Sequence, residues 1–451
     1  MPQTTRDAAN HLLVPYQEFD IDPERRLVIE SGDGVHLVDA AGNRYLDAIG
    51  GMWCTNIGLA QEEMVEAISA QLRKLAYANP FGDMMGMPAA QLAAKLATLT
   101  PEGLNHTFFS TGGSTAIDSA YRLIQFYHGV RGNHEKRHVI SRTDAYHGTT
   151  YAAVSIGGKP TDHTSYFNYI DDTIHHLQSP NYYRHGAGRT EAEFGADLVA
   201  EFEAKVAELG GPDQVGGFFA EPIMASGGVV LPPDNYLRRI WELCREWDIL
   251  YVSDEVVTGF GRLGEWFVSE KMFGITPDII TSAKGLTSGY VPLGATIYSD
   301  AIHAVISEPG HGRYFGVGYT YSGHPVSCAA ALKNIEIIER HGILERVRKI
   351  GPYFMEQLGD LADLAIVGDV RGSHLMTCVE FVADKATKAG FPDGIDIGNL
   401  VASEAQKRGL IVRPIGNLNV MSPALTISES ELDEIVGILR ESIVAAQALV
   451  R

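Results

Sequence analysis

The sequence predicts an α/β protein. A large domain is built on a mostly parallel sheet flanked by helices, and a smaller α+β domain is drawn from both chain ends. Three observations carry that expectation. From about residue 105 the chain repeats strand, turn and helix, the pattern of a parallel sheet with crossover helices. Three predicted strands deliver charged residues at their carboxyl ends, where open α/β sheets bind ligands: "VGGFFA" runs into Glu221, "ILYVS" into Asp254 and Glu255, and "DIITSA" into Lys284. The opening segment and the tail carry shorter strands broken by turns. The expected boundaries are a segment over 1–58 that joins the small domain, a large domain over 59–325 and a C-terminal small domain over 326–451.

Taken in order, "RRLVIESGDGVHLVDAAGNRYLDAIG" alternates apolar and polar residues around the turns "SGDG" and "AAGN", so it reads as short strands. Met64, Ile68, Leu72 and Leu75, then Leu92, Leu96 and Leu99, follow helical spacing. "HTFF", "RHVIS", "AAVSI", "VGGFFA", "ILYVS", "DIITS" and "LGATIY" read as the strands of the large domain. Between them, "NYLRRIWELCREWD" gathers Leu237, Ile240, Trp241 and Cys244 on one helical face. After about residue 325 come two helical stretches, the strand-like "HLMTCVEFV" and "LIVRP", and a final helix. That helix opens at Ser428 and Glu431, which fit a capping box, and buries Leu432, Ile435, Val436 and Leu439.

Composition narrows the partners. Of 451 residues, 45% are hydrophobic and 20% charged, with 36 basic against 56 acidic and a net charge of −20. That balance disfavours nucleic acid and anionic membrane surfaces, but a small anionic ligand answers to local fields. No run approaches the length of a membrane span, and the start lacks the pattern of a secretory signal. Cys54, Cys244, Cys328 and Cys378 are scattered, which suits a reducing, cytoplasmic compartment.

The chemistry concentrates in a few stretches. Lys284 sits in "TSAKGLTSGYVPLGA" with no acid within five residues on either side. A lysine in so apolar a setting suits a dry pocket, where desolvation lowers its pKa and frees a nucleophilic amine. In "FFSTGGSTAIDSAYRLIQ" a strand runs through Gly112, Gly113 and Ser114 into a helix. That is a cradle for an anion such as phosphate, though not a P-loop, because no lysine follows. "GFGRLG" at 259–264 fits a dinucleotide motif, but Asp254 and Glu255 intervene after the strand and would repel a pyrophosphate. "HEKRH" at 134–138 fits a zinc motif, but it lies between a turn and a strand with two cations inside it, so a solvated loop is expected. His175 and His176 are adjacent and point to different faces.

With Lys284, Asp254 and the glycine turn assembled, the chain resembles a pyridoxal-phosphate (PLP) enzyme of fold type I, and more narrowly the class III aminotransferases, the omega-transaminase family. The matches are "FFAEPI", "LYVSDEVVTGFGRLG", "PDIITSAKGLTSGYVPLGA", "AYHGTT", "YTYSGHPVSCAAAL" and "GLIVRPIG", in family order over roughly residues 30–440.

The resemblance implies roles. Lys284 would bond covalently to the cofactor's aldehyde and later move the substrate proton. Asp254 would pair with the pyridinium nitrogen. Val256 and Tyr146 would cover the two ring faces, and Glu221 would lie near the ring edge. Gly113 and Ser114 would hold the phosphate, completed by Thr320 and Tyr319 from the second subunit of a homodimer, or of a tetramer built from such dimers. Trp53 would line the substrate pocket, with Tyr16 and Phe81 as further pocket residues. Arg413 would bind a keto acid's carboxylate and swing away for an amine without one; its planar fork suits that task. The chain departs from the family at Gly112, where serine is usual, and at Thr115, where glutamate is usual.

The activity implied is transfer of an amino group from an amine or omega-amino acid donor to a keto acid, pyruvate being the expected acceptor. The sequence leaves open which donor is used. It also leaves open another PLP reaction on the same scaffold, a decarboxylase or an aminomutase, and a non-catalytic binding protein.

Overall fold

The computed structural model describes residues 11–16, 19 and 26–450. Its central sheet has seven strands. In spatial order they are His106–Ser110, Gly294–Tyr298, Ile279–Ser282, Leu250–Asp254, Val215–Ala220, His138–Arg142 and Ile174–Leu177. Gly294–Tyr298 runs antiparallel to both neighbours, and the remaining ladders are parallel. Six carboxyl ends therefore open on one side of the sheet.

Helices cover both faces, and the sequence shows why. Val215–Ala220 is buried along its whole length, as a doubly covered strand requires. Its side chains alternate between layers. Phe218 packs with Phe194, Phe202 and Ile240 from the helices Glu191–Glu208 and Tyr236–Glu246. Phe219 packs in the other layer with Ile117 and Ile124 of the helix Gly113–Val130. Truncating one such phenylalanine to alanine costs about 3–5 kcal/mol, so the layering is strongly specified.

Two smaller sheets flank this body. Ile29–Asp33, His36–Asp39 and Arg44–Asp47 pair antiparallel, and Leu410–Ile411 joins Arg44–Asp47 in parallel, so residues from both chain ends share one sheet. Val367–Ser373, Met376–Phe381, Leu418–Met421 and Arg413–Ile415 form the other, all antiparallel. Val347, Phe354 and Leu358 of one helix meet Leu432, Ile435 and Leu439 of the last helix in a shared core. At the start of that last helix the Ser428 N–H donates to the Glu431 carboxylate at 2.7 Å, and Ser428 Oγ accepts from the Glu431 N–H at 3.3 Å.

The structure corrects several local expectations. "AAVSI" belongs to a short helix, Tyr151–Ile156, whose first turn is fixed where the Ala153 N–H donates to Asp118 at 3.0 Å. Strands unrecognised in sequence are Ile174–Leu177, where two histidines hide the apolar pattern, and Val367–Ser373 and Leu418–Met421 in the smaller sheet. A short helix, Val268–Phe273, follows "GFGRLG" after a run of turns. Lys136 is buried rather than solvated: its ammonium donates to the carbonyls of Trp247 at 3.1 Å and Asp248 at 2.7 Å. Among the described residues no helix is long and apolar enough to cross a membrane.

Candidate active site

The open side of the sheet holds a cavity lined by Gly113, Ser114, Tyr146, Glu221, Asp254, Val256 and Lys284, together with His147 and Gly148. A larger cleft of about 590 Å³ lies between the segments around Tyr183 and Arg371. Its Arg371 is already paired with Asp369 at 2.8 Å and with Glu380 at 2.5 Å, and neither Lys284 nor Asp254 reaches it.

Asp254 ends its strand and pairs in register with Thr281 on the next. Thr281 Oγ1 donates to Asp254 Oδ1 at 3.0 Å, and the Val256 N–H donates to the same atom at 3.1 Å. His147 Nδ1 stands 2.7 Å from Asp254 Oδ2, and Ser141 Oγ lies 3.4 Å from His147 Nε2. Asp254 and His147 are buried. A buried carboxylate is costly unless its lone pairs are met, and this one has partners on both oxygens.

Lys284 opens the turn Lys284–Leu286 with φ +42°. Left-handed backbone at a residue other than glycine is uncommon and clusters at functional sites. Asn334 Nδ2 secures the turn by donating to the carbonyls of Gly285 at 2.8 Å and Leu286 at 3.1 Å. Burial lowers the pKa of the Lys284 ammonium; Asp254, Cys54 and Glu221 pull against that, and Arg413 reinforces it. Glu221 accepts from the N–H groups of Tyr146 at 3.0 Å and Ala225 at 2.8 Å. Burial raises its pKa.

The anion cradle heads the 18-residue helix Gly113–Val130. First-turn N–H groups have no partner within a helix and favour negative charge. The Thr115 hydroxyl accepts from the N–H groups of Thr111 at 3.1 Å and Gly112 at 3.0 Å, and donates to the Gly112 carbonyl at 2.9 Å. It does the work that a glutamate does at the third position of a capping box. Ser114 Oγ accepts from the Thr149 N–H at 3.1 Å. That approach demands a glycine at 148: φ there is +127°, and a Cβ would stand 2.3 Å from Ser114 Oγ.

The other sequence-selected residues lie farther out. Trp53 is buried with Ile223, Val229 and Leu418, so it backs the cavity wall through Ile223. Tyr16 is exposed, with its hydroxyl 3.4 Å from Asp162 Oδ2. Phe81 is half exposed and lies against Gly318, away from this cavity. Tyr319 donates its hydroxyl to the Thr115 carbonyl at 3.1 Å, and the exposed Thr320 accepts from the Tyr77 hydroxyl at 3.0 Å. Arg413 Nη1 donates to Met52 Sδ at 3.0 Å, while its Nε is buried without a partner. Sequence reasoning missed His147 and Thr281. The histidine was visible in "AYHGTT", but its partner is 107 positions away.

The family model for aminotransferase class-III matches residues 21–443. The chain is 38% identical over 434 residues to the putrescine–pyruvate aminotransferase of Pseudomonas aeruginosa, covering 96% of this chain and 94% of that protein. Among solved structures it is similar to an (S)-enantioselective omega-transaminase from Thermomicrobium roseum, with TM-score 0.93 and 39% identity over 99% of this chain and 98% of that one. It is also similar to the PMP-bound aminotransferase from Vibrio fluvialis, with TM-score 0.95 and 34% identity over the whole of both chains.

Proposed function

This chain belongs to the class III aminotransferases and is a PLP-dependent transaminase of fold type I; from that premise we propose that it moves an amino group from a terminal amine or omega-amino acid to pyruvate. One observation carries the mechanism. Lys284 and Asp254 face one cavity from neighbouring strands, and burial favours the neutral amine.

The residues present fit the cofactor. Gly113 and Ser114 would hold its phosphate at the helix N-terminus, Val256 and Tyr146 would cover its ring, and Asp254 would hold the proton on the ring nitrogen. When bound, the protonated ring supplies an electron sink for the substrate carbon. Lys284 Nζ, whose pKa burial lowers, would be the nucleophile toward the aldehyde. Displaced by the substrate amine, it would then carry the proton from the substrate carbon to the carbon of the former aldehyde, as a base within reach. His147 keeps the Asp254 carboxylate aimed, and Glu221 orders the Tyr146 main chain. Arg413 would take the keto acid's carboxylate through its planar fork. Trp53 and Tyr16 would shape the amine side.

The exposed Thr320 and Phe81, with the partly buried Tyr319 beside Thr320, suit a homodimer in which each protomer completes the partner's phosphate site and pocket. Four free thiols accord with a cytoplasmic setting.

A panel of amines assayed with pyruvate tests the function: putrescine, β-alanine, taurine, 4-aminobutyrate and a benzylic amine. Consumption of at least one donor, matched by alanine formation, is the expected result. Carbon dioxide release without any need for a keto acid would overturn it in favour of decarboxylation.

A further inference from the structure

We propose that Met52 is the dock that holds Arg413 when no carboxylate is bound, and that the softness of its thioether sets how readily the enzyme accepts keto acids. The inference rests on the carboxylate role proposed for Arg413, and it concerns a contact which that role does not require.

One scaffold presents both side chains. Arg413 pairs across its sheet with Val420. Two residues on, Ser422 clamps the other segment: its N–H donates to the Ala48 carbonyl at 2.7 Å and its hydroxyl to the Ile49 carbonyl at 2.6 Å. The Asp47 carboxylate accepts from the N–H groups of Ile49 at 2.9 Å and Gly51 at 2.7 Å. The chain then kinks, with φ of +59° at Gly50, +67° at Gly51 and +63° at Trp53. At Gly50 a Cβ would meet the Ser422 carbonyl at 2.6 Å, so the clamp needs glycine. From this pinned kink Met52 stands out, 48% exposed, with its sulfur 3.0 Å from Arg413 Nη1.

The chemistry of the pair suits release. Among the described residues no carboxylate pairs with Arg413, and its Nε is unpartnered. A thioether is a weak acceptor. A carboxylate takes the same guanidinium through two parallel, charge-assisted bonds. Arg413 therefore has a defined resting place that an incoming carboxylate outcompetes, while an amine without one leaves it on Met52. A stronger acceptor at position 52 would hold the arginine back from substrate.

Three variants test this: Met52→Leu, Met52→Gln and Arg413→Ala. The readouts are the KM for pyruvate, the KM for an aldehyde acceptor without a carboxylate, and inhibition by propionate. Met52→Gln should raise the pyruvate KM and the propionate Ki about three- to tenfold, the advantage of an amide oxygen over a thioether for a charged donor. Met52→Leu should lower both by up to about threefold, and the aldehyde KM should stay within about twofold. In the Arg413→Ala background both effects should vanish. Shifts of the same sign for Leu and Gln, or effects that persist without the arginine, would overturn the dock and leave Met52 a wall residue. If Arg413→Ala alone leaves pyruvate and propionate binding unchanged, the carboxylate role itself falls, and the dock with it.

Discussion

Thr115→Ala should loosen the anion cradle without touching the reacting groups. The hydroxyl of Thr115 accepts from two main-chain N–H groups, at Thr111 and Gly112, and donates to one carbonyl. Each hydrogen bond of this kind contributes about 0.5–1.5 kcal/mol net, and caps lost to alanine cost about 0.5–2 kcal/mol. The site is half-buried, so water replaces part of the loss and about 1–2 kcal/mol remains. If the turn must re-form to bind phosphate, the dissociation constant for PLP rises about 5- to 30-fold. The assay is cofactor titration of dialysed apoenzyme, followed by absorbance. Thr115→Ser keeps the hydroxyl and should stay within about twofold of the parent. Because Thr115 does not line the cavity, kcat at saturating cofactor should hold. An alanine variant that binds PLP as tightly as the parent, or a serine variant as weak as alanine, would refute the reasoning.

Five further outcomes are expected. Lys284→Ala should lose at least about 10³-fold in turnover yet retain PLP through gel filtration; borohydride should fix the cofactor to the parent and not to the variant. Burial lowers the Lys284 pKa and the amine is nucleophilic only above it, so PLP capture by apoenzyme should persist to lower pH than for an ordinary lysine. Asp254→Asn removes the largest opposing pull and should move that pH midpoint further to acid; an alkaline move would contradict the assignment. Gly148→Ala drives a methyl into Ser114 at a left-handed position, costing about 2–5 kcal/mol of overpacking and backbone strain, to be read as lost thermal stabilisation by PLP. His147→Leu deprives Asp254 of its partner at 2.7 Å and should weaken PLP binding by about 1.5–3 kcal/mol, with His147→Asn restoring part of it.

Some of this was legible in the sequence because burial forces a simple pattern. Val215–Ala220, Leu250–Asp254 and Ile279–Ser282 are buried throughout, so each is a run of apolar and small uncharged residues against which a terminal Glu, Asp or Lys stands out. Ile174–Leu177 is the edge strand, laddered on one side only, and there histidines are tolerated and the pattern dissolves. Tyr151–Ile156 misled for the opposite reason: its apolar run is too short for periodicity to separate helix from strand. Lys136 is buried where the sequence suggests a solvated loop because its nearest partners are main-chain carbonyls, with the Asp248 carboxylate farther off at 3.7 Å, and all of them lie over a hundred positions away. His147 with Asp254, and Met52 with Arg413, are joined over 107 and 361 positions. Such pairings are products of topology, and local spacing carries no trace of them.

Asp254 and the strand leading to Lys284 are neighbours in one ladder, registered at Asp254 and Thr281. Adjacent strands sit about 4.8 Å apart whatever their side chains, so the spacing of acid and amine is inherited from peptide geometry. The proposed substrate residues Trp53 and Arg413, by contrast, hang on the pinned kink before Cys54 and on a strand of a separate sheet. A substitution at that kink therefore leaves the ladder that spaces acid and amine untouched.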